Sequence, residues 1–293
     1  MSFTKNSWID LHAHSTASDG GLSPTEVIER AANRGVRVMA LTDHDTISGL
    51  EEAQAAAKKI GVLLINGIEI STAIDNRPLH VVGLNVDPSS ASLHSALSQL
   101  ADLRLERAMA IGRRLEKLGF ADAYAGASQE AHSPRPGRAH FARWLIGKSH
   151  FKDMSEVFER LLGRGKPAYV ATKWPQLEEV VTCIRNAGGM AVLAHPLRYK
   201  LTASWLRRIA QQFKEMGGTG LEVSVARQSH QETDMAANVA RRSGLHGSVA
   251  SDFHSIGQYA ADLGGFCSLP SDIDPVWTQL PGEIDGCKIA ELK

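Results

Sequence analysis

A chain of 293 residues is long for one simple core, but it suits a single α/β barrel or a domain carrying an insertion. Zero formal net charge argues against a large nucleic-acid or membrane footprint, and no run approaches the roughly 20 apolar residues of a membrane span. The three cysteines (Cys183, Cys267, Cys287) lie far apart without CxxC spacing, and the start lacks a basic stretch followed by an apolar one. The expectation is a cytoplasmic protein with no signal peptide, disulfide frame or thiolate zinc site.

In chain order, Trp8, Ile9 and Leu11 form a short apolar run that reads as a buried strand and ends in His12-Ala-His14. Ser23, Pro24 and Glu26 carry the signature of a capped helix start, and Gly35 stops that helix. Residues 36–41 read as a strand that ends in Thr42-Asp43-His44-Asp45. A helix over about 48–60 follows and is closed by Gly61. Residues 62–65 are the next strand, with Glu69 just beyond it, and residues 79–84 are another, carrying His80.

The middle of the chain changes character. Leu97, Leu100, Ala108, Ile111, Leu115 and Leu118 keep helical spacing, residues 120–137 read as irregular, and two helices are expected over 138–146 and 154–162. No convincing strand appears between about 88 and 166. Residues 91–165 are therefore expected to be a helical insertion capping the site, with 1–90 and 166–293 forming a discontinuous barrel. Helices at about 175–187, 203–216 and 231–242 then alternate with strands at 190–194, 221–225 and 248–250; the tail from Pro270 reads as mostly irregular. This alternation implies a parallel α/β barrel whose site lies at the carboxyl ends of the strands.

The unusual histidines and acids fall at that one rim. His12 and His14 follow the first strand, with Asp19 on the loop after it. His44 follows the second strand and Glu69 the third. His195 follows a later strand, Asp252 and His254 follow the last, and His80 sits within its own strand. Residues i and i+2 of an extended chain point the same way, so His12 and His14 aim at one point. Imidazole and carboxylate without thiolate suit Mn²⁺, Fe²⁺ or Zn²⁺, and two or three such ions together suit phosphate-ester hydrolysis. Asp10, Asp43 and Asp45 are candidates for holding imidazole tautomers, with turn and cap chemistry as the alternative. Glu222, on a strand, has no assigned role at this level.

Asp-Leu-His12-Ala-His14-Ser, Leu-Thr-Asp-His44-Asp-Thr, Gly-Ile-Glu69, Ala-His195-Pro and Ser-Asp252-Phe-His254 together resemble the ordered motifs of the PHP (polymerase and histidinol phosphatase) family of metal-dependent phosphoesterases. The match runs over about 8–85 and 166–265. The resemblance implies a distorted seven-stranded (βα) barrel with two or three divalent ions, Mn²⁺ first. It implies one ion on His12, His14, Glu69 and Asp252, a second on Glu69, His80 and His195, and a third on Asp19, His44 and His254. Pro136-Gly137-Arg138-Ala-His140-Phe-Ala-Arg143 is similar to a segment of the tryptophan-operon-associated branch, with Ala139 where that branch has Pro.

That branch acts on nucleoside 3′,5′-bisphosphates and, in some members, on short 5′-phosphorylated RNA. The implied reaction releases the 3′-phosphate by attack of a metal-bridging hydroxide. His195, Asp19 or a metal-bound water would serve as proton donor. Arg135, Arg138, Lys173 and Arg198 are candidates for a second phosphate, with a solvated surface charge as the alternative for each. Trp144 and Phe141 read as core, with base stacking as the alternative; His140 reads as a cap or packing residue. The expected partner is a small nucleotide or short RNA, not a membrane or a long duplex. Competing readings are a 5′→3′ exonuclease on short RNA, a histidinol-phosphate phosphatase and, last, a non-catalytic binding module.

Overall fold

The computed structural model describes residues 7–257, 261–284 and 286–291, so the ends of the expected barrel span, 1–6 and 292–293, lie outside the described residues. The chain divides into two compact units, one of residues 1–94 and 175–293 and the other of residues 95–174.

The first unit is built on seven strands hydrogen-bonded in chain order: β1 (Ile9–Asp10), β2 (Val38–Leu41), β3 (Leu63–Ile74), β4 (Arg77–Leu84), β5 (Met190–Leu193), β6 (Gly220–Val225) and β7 (His246–Ala250). The first and last strands also meet. Leu11 N–H donates to the Val249 carbonyl at 3.3 Å, and Ala13 bridges Phe253 in parallel, so the sheet is a nearly closed barrel. The expectation of an all-parallel sheet is corrected at one place. β4 runs antiparallel to both β3 and β5. The reason is local: Asp75 and Asn76 both take left-handed backbone (φ 48° and 59°), the geometry of a two-residue hairpin that matches strand twist.

The crossover helices form where their caps dictate. α1 (Pro24–Asn33) starts at a capping box in which Ser23 and Glu26 satisfy each other's backbone N–H, and α2 (Leu50–Ile60) ends on left-handed Gly61. Alternation along the strands sorts the core. Ile9, Leu11, Val38 and Ala40 join a cluster inside the barrel. Met39 and Leu41, on the other face, pack with Val27, Ile28 and Ala53 of α1 and α2. The C-terminal tail, read as irregular, is part of this core. Trp277 is fully buried in the interior cluster and meets Trp8 edge-on at 5.9 Å. Pro275 bridges Gly247, and Gly247 N–H donates to the Asp274 carbonyl, so the tail packs at the amino-terminal end of β7.

The second unit is helical. It holds most of α3 (Ala91–Lys117), then α4 (Ala123–Glu130), α5 (Arg138–Gly147) and α6 (Met154–Val157), the last continuing as a π-helical turn over Phe158–Leu162. α4 lies in the stretch expected to be irregular. Its alanines, Ala123 and Ala127, pack on Phe141 and Trp144 in this unit's own core, which makes both aromatics structural. His140 is a cap: its Nδ1 accepts from Gly137 N–H at 3.0 Å.

Candidate metal centre

The barrel gathers nine ligand-type side chains on six segments. The stretch after β1 stays extended because Ala13 is clamped: its N–H donates to Thr42 Oγ1 at 3.1 Å and its carbonyl accepts from Thr42 N–H at 2.9 Å. His12 and His14 thus share one face, with their Nε2 atoms 3.0 Å apart and both rings fully buried. The loop then folds back to bring Asp19 in. That fold requires glycine next, since a Cβ on Gly20 would stand 2.6 Å from the His14 carbonyl oxygen. His44 is placed by a parallel bridge to Glu69, and Asp252 by its N–H donating to the His12 carbonyl at 2.9 Å.

Glu69 is the centre. It is fully buried on β3 and faces five imidazoles. Oε2 lies 3.3 Å from His12 Nε2, 3.4 Å from His14 Nε2 and 2.8 Å from His44 Nδ1; Oε1 lies 3.0 Å from His80 Nδ1 and 2.9 Å from His195 Nε2. Asp252 Oδ1 closes the first group at 3.5 Å from His12 and 3.2 Å from His14. His254 Nε2 and Asp19 Oδ1, 3.4 Å apart, make the far end of the row. Three sets have ligand atoms close enough to share an ion: His12, His14 and Glu69; His44, Glu69 and His80; and His14, Asp19, His44 and His254. All nine expected ligands converge. His44 falls between the second and third groups.

The donor chemistry fits cations. Among the described residues, the buried atoms Glu69 Oε2 and His14 Nδ1 make no well-oriented hydrogen bond, although Oε2 lies 2.8 Å from His44 Nδ1. Leaving such atoms unpaired costs on the order of 1–3 kcal/mol each unless something else satisfies them. Burial works against charge throughout, yet His254, His44 and His14 hold Asp19 well below the usual carboxylate range, and His44, His80 and His12 do the same for Glu69. Against the same burial, Glu222, Glu69 and Asp252 hold His12 well above the usual imidazole range, and Asp19 and Asp252 push His254 up to about 10. His14, desolvated and next to His254, is pushed down to about 3. A row of ionised carboxylates among nitrogen donors is a site where protons stand in for metal.

Supporting residues differ from the sequence expectation. Among the described residues, the Asp10 and Asp43 carboxylates bond main-chain N–H and hydroxyl groups rather than an imidazole. Asp10 accepts from Ser251 N–H and Gly264 N–H, both at 2.9 Å, and burial pushes its carboxyl up to about 6. Asp43 accepts from Ser15 N–H and from the Ser15 and Ser18 hydroxyls, so it fixes the loop rather than a ring. Asp45 Oδ1 accepts from Ser71 N–H at 2.7 Å.

The imidazole-orienting role falls instead to Glu222. Its Oε1 lies 2.7 Å from His12 Nδ1 and its Oε2 accepts from His195 N–H at 2.6 Å. This second bond secures His195 at a left-handed φ of 29°. Tyr199 is a further residue that sequence reasoning missed: its hydroxyl accepts from His80 N–H at 2.9 Å. Neither role has a spacing signal, since Glu222 is 210 residues from His12.

The basic candidates separate. Arg198, in the 3₁₀ turn Pro196–Tyr199, is ion-paired with Asp252. Arg135, Arg138 and Lys173 belong to the second unit. There Arg138 lies over the Phe158 ring at 5.4 Å and reaches the Leu162 carbonyl, whereas Arg135 and Lys173 are exposed.

The model of the PHP domain matches residues 10–224. A 5′-3′ exoribonuclease of Haemophilus influenzae is 44% identical over 268 residues, covering 92% of this chain and 97% of that protein. A 3′,5′-nucleoside bisphosphate phosphatase of Chromobacterium violaceum is 43% identical over 277 residues, covering 94% and 97%. A solved structure from Chromobacterium violaceum, described as an amidohydrolase with bound sulfate and no metal, has a TM-score of 0.89 at 43% identity and covers 93% of this chain and 95% of that one.

Proposed function

The chain belongs to the PHP domain family, and from that premise we propose that it is a metal-dependent phosphomonoesterase that removes the 3′-phosphate of nucleoside 3′,5′-bisphosphates and leaves nucleoside 5′-phosphates. The observation that carries this reading is Glu69, whose two buried oxygens each face a separate set of imidazoles. A carboxylate so placed suits two neighbouring cations. Phosphatase chemistry, rather than amide hydrolysis, is supported by the likeness to the Chromobacterium violaceum bisphosphate phosphatase over nearly the whole chain.

His12, His14, Glu69 and Asp252 would hold one ion; Glu69, His80 and His195 a second; Asp19, His44 and His254 a third. A mixed imidazole–carboxylate set without thiolate suits Mn²⁺, Fe²⁺ or Zn²⁺, and Mn²⁺ is the metal this reading takes first. When bound, these ions supply Lewis acidity and a water that ionises near neutral pH. The protein's own contribution is placement. Glu222 fixes the His12 ring through Nδ1, which leaves Nε2 as the donor into the cluster. The His254 Nδ1–H donates to the Asp252 carbonyl at 3.0 Å, which turns its Nε2 toward Asp19 and the cluster. Asp19 is held ionised, which suits a ligand and not a proton donor. That leaves His195, or a water held at the cluster, to supply the proton for the departing 3′-oxygen. Arg198, ion-paired with Asp252, is a cation that could meet the non-bridging phosphate oxygens.

A second reading, stepwise removal of 5′-nucleotides from short RNA, is favoured by the 44% identity to the Haemophilus influenzae exoribonuclease. Both use one site. Incubating Mn²⁺-loaded protein with adenosine 3′,5′-bisphosphate and with a 5′-phosphorylated oligoribonucleotide separates them. The proposal expects phosphate and adenosine 5′-monophosphate from the first. Cleavage of the oligonucleotide with an intact bisphosphate would move the assignment to the exonuclease.

A further inference from the structure

β5 pairs with β4 as far as Leu193, which stands opposite Val81, and one bond runs beyond that: Ala194 N–H donates to the His80 carbonyl at 3.2 Å. In an antiparallel ladder two such residues exchange both bonds, so the His80 N–H is due to the Ala194 carbonyl in return. It goes elsewhere, because the chain has begun to turn. His195 takes a φ of 29° and gives its N–H to Glu222 Oε2 at 2.6 Å, and Pro196–Tyr199 form a 3₁₀ turn. That turn brings back Tyr199, whose hydroxyl accepts the His80 N–H at 2.9 Å. A side chain thus completes the ladder at the point where β5 leaves it to deliver His195.

The same side chain meets both histidines of one ligand set. While its hydroxyl holds the His80 main chain, the Tyr199 ring lies against the His195 ring, with centroids 5.3 Å apart. His80 Nδ1 and His195 Nε2 are 3.4 Å apart, and both face Glu69 Oε1, at 3.0 Å and 2.9 Å. Among the described residues, the Tyr199 hydroxyl bonds none of the other candidate ligands. Glu222 is less selective, since it reaches His12 as well as His195 and so serves two of the ligand sets. A main-chain N–H must find a partner. Without the phenol oxygen, β4 would shift to satisfy its own, and the His80 ring would move with it.

We infer that Tyr199 is a positioning residue for one ion, the one that Glu69, His80 and His195 would hold, and that it sets the affinity of that position and not of the other two. The inference rests on the proposed metal centre and deepens it. The alternative is a plain ladder cap, which would contribute to stability and treat every ion position alike.

The test is stepwise metal binding. Tyr199→Phe keeps the ring against His195 and removes only the acceptor. The full-length chain, stripped of metal, is titrated with Mn²⁺ against a chelator, for wild type and variant. One equivalent is expected to weaken by about 10- to 100-fold in the variant, the scale for residues that orient a ligand, while the others stay within about 2-fold. Phosphate release from adenosine 3′,5′-bisphosphate is expected to fall at limiting Mn²⁺ and to recover when Mn²⁺ is saturating. Tyr199→Ala, which also removes the ring, should weaken the same equivalent further. Circular dichroism checks that both variants are folded.

Equal weakening of every equivalent, or of none, would overturn the inference, and so would a rate that saturating Mn²⁺ does not restore. A wild type that binds a single ion overturns the assignment of separate ion positions along with it. A wild type with two or three distinct equivalents, all of them kept by Tyr199→Phe, overturns only the role of Tyr199.

Discussion

Glu222 holds two donors from opposite sides of the site: the His12 ring N–H and the His195 main-chain N–H. Replacement by glutamine keeps the shape and supplies only one acceptor for two donors, so one of them goes unpaired. Glu222→Gln is expected to weaken divalent-metal binding by about 10- to 100-fold with little change in fold, read by metal-competition titration and circular dichroism. Unchanged affinity would remove Glu222 from the site's support. A second prediction at this scale follows from His12 and His254. Both are raised in the metal-free protein, His254 to about 10, so below that pH a proton occupies a ligand nitrogen. Metal must displace it. Apparent affinity is expected to rise with pH from 7 and to level off near 10, with protons released on binding. Calorimetry in two buffers of different ionisation enthalpy measures that release. Zero release at pH 7 would mean the nitrogens are already free.

The elements explain why the site stands where it does. His12, His44, His195 and Asp252 all follow the carboxyl ends of β1, β2, β5 and β7, where a parallel barrel leaves its chain ends free to carry chemistry. The β3–β4 hairpin breaks that rule and serves the site for the same reason. It places Ser71 opposite His80, so Glu69 and His80 emerge from paired strands rather than from loops. The amino end is sealed by the tail. Trp277 packs with Ile9, Val38, Val192 and Val249 inside the barrel. Trp277→Ala is expected to cost about 3–5 kcal/mol in denaturant unfolding, as large core truncations do, while metal affinity per folded molecule stays the same. Loss of metal binding at full stability would contradict the separation of core and site.

On the scale of the whole molecule, the convergence of the nine candidate ligands was legible because metal chemistry demands rare residue types at strand ends, and strand ends can be read from periodicity. His12-Ala-His14 needed only the two-residue repeat of an extended chain. What was not legible depends on long-range contact. Asp10 and Asp43 looked like partners for imidazoles by proximity in sequence, but the fold turns them onto Ser251, Gly264, Ser15 and Ser18. Glu222 had no motif around it, and its role comes from the closure of β6 against the far side of the barrel. The direction of β4 turns on Asp75-Asn76, a two-residue turn between two apolar runs.

The central claim is that Glu69 organises a metal centre that hydrolyses a phosphomonoester. The most direct measurement is metal content by mass spectrometry, together with phosphate release from adenosine 3′,5′-bisphosphate, for wild type and Glu69→Gln. The account predicts two or three divalent ions per wild-type chain and one phosphate released with adenosine 5′-monophosphate. In the variant, it predicts at least one ion lost and activity lower by more than about 1,000-fold. A variant that keeps its metal and its rate, or a wild type that releases the 5′-phosphate instead, would contradict it.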